Sequence, residues 1–398
     1  MAMKHGQSAL SLAQSIGDIA KQSDVFRHFA FIKWAVGDYT AGQLYAKEAH
    51  ELARIMGHLY REARGLRTEA LNWLGLGNYM QCILLAKRAR SLLDVCGLPH
   101  SIEGNGLRML LGEVQSRKSE YVEAHSMYNQ VAQAAANDPH YHAMSLINMA
   151  DIEVSMGTAK HEIQRKINVA QTILKVIGMA RGSTGCDIVQ ADLNLREGDM
   201  STLLFCKCLR KMWGKDSEVV VYCLERLGDV SRWKNSHHEL SWSTVLLAHS
   251  LKQKEKLGIH KGLQFIGDVF LQEKDEVTAS SLFTLALQGF TLMDVHRSRA
   301  ECMIRLGDIS EKNGDLLNAL ELWDMARPLF ERSSQTKQIQ AIDNRLSRNN
   351  KDVKEQHQKG LAHLVELSVP AGKVDEEDEE DSEIELELDE ADVEQVVV

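Results

Sequence analysis

The sequence predicts an all-α solenoid of about eight helix-turn-helix repeats, and three observations predict it. Small residues recur at Ala30, Ala70, Gly112, Ala150, Ala191, Gly228, Gly267 and Gly307, at intervals of 37 to 42 residues. Apolar and small residues follow them at offsets that step by three and four, the spacing of one face of an α-helix. The chain of 398 residues holds only four prolines, so long stretches can keep their helical hydrogen bonds. A repeat array also accounts for the length, because each unit needs only its neighbours to bury its core.

The elements follow in order. Residues 4–20 carry Ala9, Leu12, Ala13 and Ile16 on one face and predict a lone half-repeat or cap helix within residues 1–21. The array occupies residues 22–335. Nine residues after the small column stand Tyr39, Tyr79 and Tyr121, and twelve after it Cys82, Ala124, Ala279 and Ala319. Sixteen after it come Tyr128, Phe283 and Trp323, and nineteen after it Ala49, Ala89, Ala286 and Ala326. The offsets predict that the small residue lets two helices approach and that the large residue at offset sixteen fills the space it leaves. Gly37-Asp38, Gly77-Asn78, Gly198-Asp199 and Asn313-Gly314 mark the turns inside repeats. Gly57, Gly97, Gly178 and Gly258 are expected as left-handed caps of the second helices.

Some positions depart from the pattern. Ala170 and Ala248 arrive one residue late, and repeat five is weak because Lys207 and Arg210 occupy its apolar positions. Pro328 should kink or end its helix. Ile339, Ile342 and Leu346 predict a helix over 335–349, the first of the capping helices placed in residues 336–369, with a second over 351–367. Residues 370–398 read as a disordered tail, since Asp375 through Asp381 are all acidic. Within it Ile384, Leu386 and Leu388 alternate with acids, a pattern that suits strand addition to a partner; a solubilising role is the favoured reading.

These offsets resemble those of the tetratricopeptide repeat family across residues 22–335, with an interval near 40 in place of the family's commonest 34. The resemblance implies a right-handed superhelix whose first helices line a concave groove that holds other proteins. A narrower resemblance lies in Trp323, Ala326, Arg327, Pro328, Leu329 and Phe330, followed by Arg332-Ser333-Ser334-Gln335. These residues are similar to the last repeat of arrays that follow NB-ARC or NACHT domains in fungal signalling ATPases.

Charge and motifs narrow the function. The formal net charge is −10, but residues 375–394 alone carry 14 acids and no base, which leaves a body of about +4. No clustered basic face suggests a nucleic-acid binder, and no apolar run suits a membrane span. Seven irregularly spaced cysteines fit free thiols in a cytoplasmic or nuclear protein better than disulfides or a metal site. No nucleophile elbow or phosphate loop occurs. His161-Glu162 lacks the second histidine of a zinc protease, and His237-His238-Glu239 reads as a solvated turn. No catalytic residue, metal or cofactor is expected.

The residue after the small column is acidic in six consecutive repeats, as Glu113, Asp151, Asp192, Asp229, Asp268 and Asp308. Such a row would give the groove a negative potential suited to a basic segment, unless Arg226 and Arg305, three residues before Asp229 and Asp308, neutralise it. Arg27, Trp34, Arg64 and Arg67 give the first two repeats a basic and aromatic lining instead. The sequence therefore points to a protein-binding scaffold, with a histone-chaperone-like shield for a basic client as the alternative.

Overall fold

The computed structural model describes residues 2–199, 202–234 and 238–348, which form eighteen α-helices. The acidic tail and the helix expected over 351–367 lie outside them. A leading helix, α1 (Ala2–Ser15), is followed by eight helix pairs. The first helices are α2 (Ile19–Ala35), α4 (Leu59–Gly75), α6 (Ile102–Arg117), α8 (Pro139–Met156), α10 (Ala180–Arg196), α12 (Ser217–Trp233), α14 (Lys256–Gln272) and α16 (His296–Lys312). Their partners are α3 (Tyr39–Ile55), α5 (Tyr79–Val95), α7 (Tyr121–Ala134), α9 (Lys160–Val176), α11 (Leu203–Met212), α13 (Glu239–Gln253), α15 (Glu276–Leu292) and α17 (Leu316–Arg332). The last helix is α18 (Thr336–Arg348).

The turns are built as their chemistry dictates. Gly37, Gly77, Gly198 and Gly314 all take left-handed backbone. Asp38, Asn78 and Asp315 then cap the next helix by accepting an N–H three residues on. Gly37 is doubly constrained, because a Cβ there would also lie 2.7 Å from the side chains of Ser217 and Gln253. Gly57, Gly97 and Gly178 are left-handed as expected. Gly258 is not: it sits in the first turn of α14 against the Ser250 side chain, and Lys254 takes the left-handed position.

The small column does what its offsets predict. A Cβ on Gly112 would meet the Tyr128 ring at 2.6 Å, one on Gly267 the Phe283 ring at 2.8 Å, and one on Gly307 the Trp323 indole at 2.6 Å. Tyr128, Phe283 and Trp323 are all buried, as are the alanine columns at offsets twelve and nineteen. In repeat six the ring comes from the next repeat instead: Phe265 lies against Gly228.

Four further expectations need correction. On α1 the buried face is Leu10 and Ala13, with Gly6 against Phe29, whereas Ala9, Leu12 and Ile16 are exposed. Repeat five keeps its core: Phe205, Cys208 and Met212 are buried and Lys207 and Arg210 exposed, because α11 is short and its buried face is displaced by two residues. Ala248 is exposed, and Ser243, Leu246 and Ser250 bury the face of α13. Pro328 does not end α17, which runs on to Arg332. Pro328 and Asp324, whose carbonyl loses its helical donor, are both exposed, so water can satisfy that carbonyl.

The array also packs on itself at long range. Apolar residues of repeats two and three, from Ala63 to Val114, share one core with Ala286, Phe290, Met293, Val295 and Cys302 of repeats seven and eight. The turn of repeat three joins the start of α16: the His296 N–H donates to the Lys118 carbonyl at 3.1 Å, Lys118 pairs with Asp294 at 2.8 Å, and His296 contacts Glu120 at 3.1 Å.

Gly307→Ala should push its new methyl into the Trp323 indole, which has no room to move. We expect a loss of on the order of 1–3 kcal/mol, read as a lower thermal unfolding midpoint. Gly314→Ala should also destabilise, through its left-handed backbone, but with no clash, since its Cβ would meet open space.

Candidate ligand-binding groove

The first helices bring their side chains to two adjoining cavities. The larger, of about 440 Å³, is walled by α2, α4, α6, α8, α10 and α12. Its apolar side includes Phe31, Trp34, Leu71, Met109, Met144 and Met179. The smaller, of about 250 Å³, is walled mainly by α6, α8, α12, α14 and α16 and is rich in charge. Glu113, Arg117, Asp151, Glu218 and Tyr222 border both.

Helix α12 supplies the hub between them. Glu218 accepts from Arg117 of repeat three at 2.9 Å and from Arg181 of repeat five at 2.8 Å. Arg117 also pairs with Glu113 at 3.0 Å, and the Arg181 guanidinium lies 4.4 Å from the centre of the Trp34 ring. Tyr222 places its hydroxyl 3.1 Å from Asp151 and 2.8 Å from Asp192. A phenol owns one proton, so both contacts are hydrogen bonds only when one carboxyl is protonated. Burial pushes the Asp192 carboxyl up to about 7, against the opposing pull of Arg226, and raises Asp151 as well.

Each member of the acidic column has a partner. Glu113 holds Arg117 and accepts from the Tyr128 hydroxyl at 3.3 Å. Asp192 meets Arg226 at 3.1 Å, and Asp229 meets Arg226 at 3.0 Å and Arg232 at 2.6 Å. Asp268 accepts from Arg305 at 3.0 Å and also pairs with Arg232. Asp308 takes both forks of Arg345 at 3.1 Å and the Trp323 indole N–H at 3.1 Å. Arg226 pairs within its own helix as expected. Arg305 does not; it reaches back to Asp268 of the preceding repeat and leaves Asp308 to Arg345.

Of the residues singled out by sequence, Glu113, Asp151, Asp229, Trp34 and Arg67 line the cavities. Asp192, Asp268 and Asp308 stand outside the cavity walls in their ion pairs, and Arg27 lies behind Phe31, 5.7 Å from its ring centre. Tyr222, Glu218, Arg117 and Arg181 were not found from sequence. Arg345 carried a signal: Arg226-Leu227-Gly228, Arg305-Leu306-Gly307 and Arg345-Leu346-Ser347 continue one column into α18.

Among the described residues the seven cysteines are free thiols, five of them buried, and burial holds Cys82 up to about 12. No described helix is long and apolar enough to cross a membrane.

Glu255 offers a pH test. It caps α14 by accepting the Gly258 N–H at 2.6 Å, and burial pushes its carboxyl up to about 7 from 4.5. The folded chain therefore holds that proton more tightly than the unfolded chain, and stability falls as pH rises from about 4.5 to about 7. Glu255→Gln keeps a cap acceptor and removes the titration. Denaturation of both proteins should show equal stability near pH 4 and an advantage to the variant above pH 7, on the order of 3 kcal/mol.

No family model and no curated protein matches the sequence. Among solved structures, the chain is similar to a Rap protein complexed with competence and sporulation factor, with a TM-score of 0.54 at 9% identity. The match covers 85% of this chain and 99% of that one, and it establishes a shared tetratricopeptide-like helical-repeat fold.

Proposed function

We propose that the chain is a non-catalytic scaffold that binds a polypeptide segment in the groove of its first helices. The observation that carries this reading is the pair of adjoining cavities, with an apolar, methionine-containing wall at one end and a dense polar network at the other. Such a surface offers adaptable apolar contact together with fixed hydrogen-bonding groups. The similarity to a Rap protein solved with a bound factor supports the same use of the fold.

In this proposal Trp34, Arg67, Glu113, Asp151 and Asp229 touch the ligand, while Asp192, Asp268 and Asp308 hold the helices that carry them. The ion pairs along the column weigh against a histone-chaperone-like shield, since a paired carboxylate has little potential left for a basic client. A sensor role of the kind served by arrays behind NB-ARC or NACHT domains belongs to the proposal too, and rests on the resemblance of residues 323–335 alone.

Asn148 borders the larger cavity and is only half-buried. Asn148→Trp should fill the space with little effect on the array. On arrays of random 15-residue peptides the full chain should select a subset, and the variant should bind that subset at least about tenfold more weakly, or about 1.4 kcal/mol. Absence of selection by the full chain, or equal binding by a folded variant, would refute the groove.

A further inference from the structure

One guanidinium near the groove lacks a carboxylate. Arg61 and Arg64 both pair with Asp24, Arg64 also meets Glu103 at 3.1 Å, and Arg67 meets Glu103 at 2.7 Å. Arg27 stands beside them with no acid partner among the described residues. Its Nη2 contacts the His28 ring at 2.8 Å, and its buried Nε has no hydrogen-bond partner. Four guanidiniums thus face two carboxylates, a surplus of two positive charges.

The arrangement holds that surplus in place. Arg27 and Arg67 both lie against the Phe31 ring, at 5.7 and 5.8 Å from its centre. Phe31 and Arg67 line the larger cavity. Burial first, and then the charge of Arg64 and, less, of Arg67, pull Arg27 down to about 10, with Glu103 and Asp24 pulling the other way. Burial and Arg27 likewise lower His28, so its Nε2 is a neutral acceptor near pH 7 and adds no charge to the surplus.

We infer that Arg27, with Arg64 and Arg67 beside it, forms a subsite for a phosphate dianion carried by the groove's ligand. A phosphate monoester holds close to two negative charges near neutral pH and offers three acceptor oxygens, which matches the surplus in charge and in donors. A carboxylate would compensate only half of it. The inference rests on the groove reading for where the rest of the ligand lies, but the subsite can be read without it.

The experiment titrates the full chain with inorganic phosphate, acetate and a phosphoserine peptide at fixed ionic strength, following heat on binding. Phosphate should bind the wild type at least about tenfold more tightly than acetate. Arg27→Gln should weaken phosphate about tenfold, Arg27→Lys, which keeps the charge but loses the planar fork, should fall between it and the wild type, and Arg88→Gln, which alters an ion pair with Glu62 elsewhere, should change nothing. Equal phosphate affinity in wild type and a folded Arg27→Gln, or acetate as tight as phosphate, would overturn the inference. The phosphoserine peptide should bind with the same dependence on Arg27. If it does not while phosphate does, the subsite stands and the polypeptide reading fails.

Discussion

The fold depends on one repeated contact: a small residue on a first helix, a large ring set into the space it leaves, and an arginine laid over that ring to reach a carboxylate. In repeat eight the members are Gly307, Trp323, Arg345 and Asp308, with the arginine 5.9 Å from the ring centre. In repeat seven they are Gly267, Phe283, Arg305 and Asp268, with 5.7 Å over the ring. Each part needs the others. The glycine admits the ring, the arginine lies over the ring, and the ion pair spans two successive repeats. In repeat seven, where Asp268 is buried, removing Arg305 would leave a buried charge uncompensated, a cost of about 3–5 kcal/mol; the more exposed Arg345–Asp308 pair is worth about 1 kcal/mol or less. Asp192, Asp268 and Asp308 thus serve to stack one repeat on the next, and α18 belongs to this scheme as the ninth first helix.

A second constraint acts at longer range. Repeats two and three share a core with repeats seven and eight, and the turn of repeat three is tied to the start of α16 through Lys118, Glu120, Asp294 and His296. This contact sets the groove. It brings α12 within reach of Arg117, Asp151 and Arg181, and so produces the hub at Glu218 and Tyr222 that no repeat could form alone.

Much of the fold was legible in the sequence because the contacts that build it are local and periodic. Gly112 and Tyr128, sixteen residues apart, sit on the two helices of one repeat, so their relation shows as a fixed offset. The face of α13 was misplaced where its buried residues fall outside the shared offsets, and that of α11 where a short helix moves its buried face by two residues. The groove was less legible for a different reason. Glu218 meets Arg117 across 101 residues, and His296 meets Glu120 across 176. Such distances depend on how the array winds, which accumulates from small rotations between repeats and leaves no spacing to read.

The same repeat logic explains why charge gathers at one end of the groove. In repeats three to eight the position after the small residue is acidic, and all of those carboxylates but Asp151, which meets the Tyr222 hydroxyl, pair with arginines. In repeats one and two that position is Phe31 and Leu71. Arginines occur three residues before the small residue, as Arg27 and Arg67, one position earlier than Arg226 and Arg305 in the later repeats, but no column carboxylate stands there to receive them. Glu103, from the first turn of α6, and Asp24 supply only part of the compensation. In the later repeats the ring and the arginine close upon an acid of the chain itself. In the first repeat Arg27 instead lies over Phe31 of its own helix, which stands where a column acid would be, and has no acid partner there. Completion of that contact is therefore left to a group from outside the chain, and its charge and acceptor geometry are set by what the array omits.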